Sequence, residues 1–379
     1  FPYTTLFRSP IANGTMLLAL FQCIFVTGAG ACLYKTVRHF TDQKIAWIAY
    51  GFYFILGGLS AWIMIPYSDS TGIIFPVFLF WLYVKLKETE SAKKKCVLLF
   101  LMFFLCYIGF EIKPMAAIVM IAIVAVEGIH FAGRLLKKQS VLKKSLLAYC
   151  LAAVLGLGAA AGGVSAVVGS MHFPVVTDTV LGWQHHMMLG LNKDTNGGYS
   201  QADFDYSTSF SSAEEQHAAE LKEIGKRLKD FGVGGYLQHF VKKSARNYFD
   251  GCFGWGGLGE TFYTEIFPER GTVLCSLIRS LYYDNTEDTL YRYPALFRQI
   301  LWYMVLVLVP FSVFTKRPLD KKRQVAVLSV LGLMLYLQIF EAHARYLYTF
   351  VPIFVFLATE GIDNLRKYLN QKSERRVKK

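Results

Sequence analysis

The chain has 379 residues, 54% of them hydrophobic and only 18% charged, with a mean hydropathy of +0.36 and a formal net charge of +13. Soluble domains run nearer a quarter charged and less than half apolar. That balance excludes a soluble globular enzyme, a disordered tail, a collagen and a coiled coil, and apolar runs of bilayer length set the class before domains are counted.

Residues 1–9, FPYTTLFRS, fit neither a signal peptide nor a mature start, having no Met and no basic stretch leading into an apolar one. They read as the translation of a sequencing adapter and are set aside; the natural chain is expected to begin near Pro10, with its upstream part lost. Apolar stretches then predict nine membrane helices, at 15–34, 46–66, 71–84, 96–112, 114–133, 145–168, 296–315, 324–340 and 346–362. Most approach the ~20 residues needed to cross ~30 Å of hydrocarbon. The third is short, and its start is drawn toward Tyr67. Pro76, Gly57-Gly58 and Gly162-Gly163 fall inside spans, where neighbouring helices restore backbone pairing. The expected fold is an all-α polytopic membrane protein. Residues 10–168 carry six spans, 169–295 a large, mainly helical extracytoplasmic domain, 296–365 three more spans, and 366–379 a basic tail.

The placement of charge tests that count. Loops 35–44, 85–95, 134–144 and 316–323, with the tail, hold more than half of the 40 Lys and Arg, and they fall on every second connection. The positive-inside rule puts them, and the C-terminus, in the cytoplasm of a multi-pass plasma-membrane protein. The connections on the other side, 66–70, 113–114 and 341–345, are brief. Because the basic clusters sit beside membrane helices, the pI of 9.3 is a topology signal, and no nucleic-acid partner is expected.

In 169–295 Asp and Glu outnumber Lys and Arg. Ser211 and Ser212 precede Glu214 and Glu215 at capping-box spacing, Leu221, Ile224, Leu228 and Phe231 repeat at helical spacing, and Gly232 follows as a stop. A second helix is predicted at 236–249, then a glycine-rich loop over 251–259. Cys252 and Cys275 could pair outside the cell or stay free; no cysteine spacing suggests zinc.

The chain has no P-loop, HExxH or GxSxG. What remains is polar residues at the outer ends of spans. Asp69 sits in a turn, where turn formation alone would explain it. Lys113 ends one span before Pro114 starts the next, as an interfacial anchor or as a cation at the depth of a lipid phosphate. Glu111 and Glu127 fall in or near apolar helices, where ionisable groups are costly and usually paired or functional; Glu111 could neutralise Lys113. Glu341, His343, Arg345 and Tyr346 form the densest polar cluster between two spans. His185-His186 precedes Asn192, Tyr199 and Asp203, and adjacent His side chains diverge too far for a metal reading. Trp255 could stack on a sugar or anchor at the interface.

Four segments together carry a resemblance: PYSDS (66–70) before TGIIFPVFLFWLY, FEIKP (110–114), MMLGLN…GGY (187–199) with its following acidic helix, and EAHARYLYTFVP (341–352). Over nearly all of 10–365 the chain resembles the GT-C membrane glycosyltransferases, and more narrowly the family 39, protein-mannosyltransferase-like proteins of Gram-positive bacteria. The resemblance implies transfer of a sugar from a polyprenyl-phosphate donor to a glycan or cell-wall acceptor outside the membrane. It puts the catalytic acidic residue in a first outer loop upstream of this segment, so the segment alone is expected to be inactive. Asp69, Lys113, Glu341, His343, Arg345 and Tyr346 become candidates for the lipid phosphate or sugar, with Lys113 and Arg345 close together. His185, His186, Asn192, Tyr199, Asp203 and Trp255 become candidates for the acceptor side. No cofactor is assured and a divalent cation is left open. Two rivals stand: a polysaccharide polymerase or ligase, against which the acidic outer segment weighs, and a transporter, whose inverted repeats and broken helices are not legible.

Overall fold

The computed structural model describes residues 12–65, 67–137, 145–171, 181–257, 259, 272–283, 290–314 and 318–377. The adapter-like residues 1–9, and the basic residues Lys138, Lys143, Lys144, Lys316, Arg317, Lys378 and Lys379, lie outside that set. Among the described residues all regular structure is helical.

In chain order the helices are α1 (Ala12–Phe40), α2 (Gln43–Tyr53), α3 (Ser68–Glu88), α4 (Ala92–Ile112), α5 (Pro114–Leu136) and α6 (Leu146–Ser170). Then come α7 (Trp183–Gly190), α8 (Gln201–Thr208), α9 (Ala213–Tyr248), α10 (Val273–Tyr282), α11 (Arg292–Ser312), α12 (Lys321–Ile339) and α13 (Ala344–Ser373). Eight of these are long and apolar enough to cross a membrane: α1, α3, α4, α5, α6, α11, α12 and α13.

The expected span at 46–66 is the exception, and its departure from a plain helix is specific. After α2 the backbone widens into a π turn at Phe54–Gly58, leaves helical geometry at Leu59, and resumes as a 3₁₀ turn at Ala61–Met64. Ser60 caps that turn through Trp62 N. The opened backbone is satisfied from far away: Tyr348 donates to Gly57 O at 2.8 Å, and Arg298 and Tyr282 both donate to Leu59 O. Irregular backbone at such a depth survives only where protein or a cavity surrounds it. A broken helix is therefore present where the sequence showed none.

Helix α13 is the axis. From Leu347 to Thr359 nearly every side chain is buried, as an all-round apolar helix at the centre of a bundle must be. Helices α4 and α6 form a pair at the periphery, with few of their residues fully buried, and α6 approaches α4 through Gly156. A Cβ there would lie 2.4 Å from Phe100 O.

One end of the bundle is laced by ion pairs. Glu127 accepts from Lys87 and Lys321, both at 2.9 Å, and from Tyr83 at 2.6 Å. His39 and Lys322 meet Glu88, and Arg366 meets Asp42. This is the end with the basic connections, so Glu127 is a paired structural carboxylate. At the opposite end, helices α7–α10 pack over the bundle. Gly232, at φ +56°, breaks α9 where the sequence placed a stop between two helices. Cys252 and Cys275 are both free.

Candidate functional site

Three chain breaks at the α7–α10 end bring the charged residues together. Lys113 is the non-helical residue between α4 and α5, where Pro114 prevents the helix from continuing. Asp69 lies in the first turn of α3, the favourable place for an acidic side chain. Residues 340–343 separate α12 from α13 and carry Glu341 and His343, and Arg345 follows at once.

Asp69, 1% exposed, holds both cations on one carboxylate. Its Oδ1 lies 2.7 Å from Lys113 Nζ, and its Oδ2 lies 3.4 Å from Arg345 Nε. Gly72 permits the approach, since a Cβ there would stand 3.2 Å from Lys113 Cβ. Arg345 lies over three rings, with Cζ 4.4 Å from the centroid of Tyr67, 5.5 Å from Trp62 and 5.7 Å from Tyr346. Lys113 Nζ is 4.8 Å from the Tyr346 ring. Such cation–π contacts strengthen when water is excluded. Burial lowers the Lys113 pKa, with Asp69 opposing the shift.

Glu341 sits beside this group. Its Oε2 accepts the Tyr346 hydroxyl at 2.8 Å and lies 3.5 Å from His186 Nδ1. Burial pushes the Glu341 carboxyl up, but His186 and Tyr346 outweigh it and hold the group below the usual range. Burial, with Arg345 close by, takes His343 down to about 4, so the ring is neutral at pH 7. Its Nδ1 accepts the Arg345 backbone N–H at 3.0 Å. The ring lies against Gly254, at φ +78°, where a Cβ would come within 2.5 Å of His343 Cε1.

Of the residues singled out in the sequence, Asp69, Lys113, Glu341, His343, Arg345 and Tyr346 thus form one cluster, and His186 joins it through Glu341. The others do different work. His185 turns inward, its Nδ1 2.7 Å from Ser207 Oγ, and burial and His186 lower its pKa. Asn192 donates to Asp203 and caps its own turn through Asp194 N and Thr195 N. Asp203 takes a bidentate Arg227 at 2.7 and 2.9 Å; burial raises its pKa, but Arg227 and Asn192 prevail and lower it. Tyr199 is exposed and bonds Gln201. Trp255 is 2% exposed, its indole N–H donates to Tyr282 O, and it faces a cavity rather than the outer surface. Glu111 does not neutralise Lys113, whose partner is Asp69. Among the described residues no group of three or more His, Cys, Asp or Glu side chains is arranged to hold a metal ion.

Two features carried no sequence signal. Trp62 stacks on Tyr67 at 5.7 Å, meets Trp255 edge-on at 5.2 Å and donates to Phe253 O. Lys243 of α9 is fully buried and donates to Gln338 O at 2.8 Å and Phe340 O at 2.6 Å, the open carbonyls at the end of α12. Burial brings its pKa down to about 7, with Glu341 opposing.

Beside the cluster lies a cavity of about 800 Å³, mainly apolar, between α1, the broken segment and α10. Cys23, Ala61, Ile63, Trp255 and Ile278 are among its walls. Its size is that of a ligand site. Trp255, in the cavity wall, meets Trp62 edge-on, and Trp62 carries the Arg345 guanidinium on its ring, so two indoles link cavity and charges.

No curated protein matches the chain, and no solved structure does. A family model described as "Conserved hypothetical integral membrane protein" matches residues 13–364, almost the whole of the apolar architecture just described. By that match the chain belongs to this family of integral membrane proteins.

Proposed function

We propose that the chain handles a lipid-linked phosphate at the outer face of the plasma membrane, as a glycosyltransferase moving a sugar from a polyprenyl-phosphate donor to an envelope glycan. The observation that carries this reading is the juxtaposition of two cations on one buried carboxylate with an apolar cavity reached through the Trp62–Trp255 pair. A long apolar chain with an anionic head matches both halves. Asp69 approaches the guanidinium at Nε, and Arg has five donors in a planar fork, so a phosphate can be added at the fork with Lys113 as a point charge. Fixed cations at a developing phosphate charge are what departure of the sugar from its donor requires. The positive-inside rule supports orienting the basic connections to the cytoplasm and the cluster outward.

The test is binding of polyprenyl phosphate, against the neutral polyprenol, by the chain in nanodiscs. Phosphate-dependent affinity is expected, weakened roughly tenfold or more by Arg345→Gln or Lys113→Met, since a charge-assisted contact contributes on the order of 1.5–3 kcal/mol. Equal affinity for the two lipids would refute the reading. The broken segment at the cavity favours a second reading, a carrier of an amphiphilic substrate. Donor translocation without sugar release would establish that alternative.

A further inference from the structure

We propose that His186, oriented by Glu341, is the proton acceptor for the incoming hydroxyl, in place of the upstream acidic residue that the resemblance implies; the proposal rests on the lipid-phosphate reading above and, unlike that resemblance, expects this chain to release product. His185 and His186 are adjacent on α7 and point to different neighbours. His185 is 2% exposed and engages Ser207, whereas the His186 side chain is 40% exposed. His186 Nδ1 faces Glu341 Oε2 at 3.5 Å, which directs Nε2 away from the carboxylate. A carboxylate behind one imidazole nitrogen, with the other presented to substrate, is the arrangement that fixes the tautomer and stabilises the imidazolium in acid–base catalysis.

The placement is braced from both sides. Arg227 donates to Met188 O at 2.8 Å, and His239 Nε2 lies 3.0 Å from Gly190 O, which seats α7 on α9. Ala342 N donates to Gly197 O at 2.6 Å, which ties the segment carrying Glu341 to the loop after α7. Glu341 also accepts the Tyr346 hydroxyl, and the Tyr346 ring packs on Lys113 and Arg345. The base and the phosphate cations therefore lie on opposite sides of one Glu–Tyr pair. The charged and titratable groups facing His186 are Glu341 and His185, with Tyr346 and His343 next to Glu341.

In the step, the acceptor O–H proton passes to His186 Nε2 as the oxygen forms its bond to the sugar C1. The bond from C1 to the donor phosphate oxygen breaks, and its electron pair leaves on the phosphate beside Lys113 and Arg345. Nothing is oxidised or reduced, and no further reactant is consumed.

The experiment uses the full chain in nanodiscs with a polyprenyl-phosphate hexose as donor and water as acceptor, reading donor binding and polyprenyl-phosphate release separately. In His186→Ala, binding should stay within roughly twofold while release falls about 100-fold or more, within the usual contribution of a general base. Imidazole added to the buffer should restore release, a rescue that a packing role would not give. Unchanged release, or a loss that imidazole leaves untouched, overturns the assignment. Binding without release by the native chain overturns the base and leaves the phosphate reading standing. Absence of donor binding by the native chain overturns both.

Discussion

Replacing Lys243 with Met isolates one buried charge. The side chain is fully enclosed, its ammonium donates to two carbonyls at 2.8 and 2.6 Å, and burial brings its pKa from 10.5 down to about 7. Between pH 7 and 10.5 the unfolded chain keeps this proton and the folded chain does not. Stability attributable to Lys243 therefore rises with pH across that window and is flat below it. Each pH unit is worth about 1.4 kcal/mol, so from pH 7 to 9 the native protein should gain about 3 kcal/mol over Lys243→Met. Taking the difference between the two proteins cancels the other groups that titrate in this range. Methionine fills similar volume but orphans Gln338 O and Phe340 O, at about 1–3 kcal/mol for each unmet group, so the variant should also be less stable at pH 9. The assay is thermal unfolding followed by tryptophan fluorescence in one detergent at pH 7, 8 and 9. A gap that widens with pH, reaching on the order of 5 °C, is expected. Parallel or converging curves would show that Lys243 does not lose its proton on folding, and would refute the account of its burial.

Asp69→Asn keeps the volume but strips the counter-charge from two buried cations, and should cost about 3–5 kcal/mol, seen as a lower melting midpoint than for Glu111→Gln. Gly254→Ala meets both the positive φ and the His343 ring; a loss of about 1–3 kcal/mol is expected, with a further drop in phosphate-lipid affinity, and unaltered affinity would mean that His343 does not set the position of Arg345. Arg227→Gln removes the bidentate partner of Asp203 and should cost about 2 kcal/mol, read as faster protease cleavage within 181–257 while the bundle stays intact. Gly156→Leu drives a side chain at Phe100 O, and cross-linking between cysteines placed on α4 and α6 should fall.

The class of fold was legible because bilayer-length apolar runs and alternating basic loops each carry the same information. The cation cluster was legible for a topological reason: Asp69, Lys113 and Arg345 each sit where a span ends on one side of the bundle. That Asp69 holds both cations required the structure, since turn formation already explained an Asp there. The break after α2 was hidden because Gly57-Gly58 inside an apolar run reads equally as tolerated small residues, and the groups that satisfy its carbonyls lie hundreds of residues away. Lys243 was invisible for the opposite reason. A lysine in a charged helix such as α9 looks solvated, and only the end of α12 docking against it removes the water. The setting of Trp255 was hidden because glycine neighbours suggest an exposed loop, whereas Trp255 is buried against Trp62 at the cavity wall.

The broken segment also sets a timetable for synthesis. Its carbonyls and indole wait for partners made far later: Phe253 O for Trp62, Arg298 for Leu59 O, and Tyr348 for Gly57 O, at separations of 191, 239 and 291 residues. At about 5–20 residues per second, the last of these partners emerges roughly 15–60 s after the segment itself. For that interval the segment enters the bilayer with polar backbone uncovered, at a cost of several kcal/mol per group in hydrocarbon. It must be sheltered by the insertion machinery, or by α1, until α11 and α13 arrive. Premature termination anywhere between residues 65 and 290 should then leave a product that is inserted yet marked for degradation, its second span never completed.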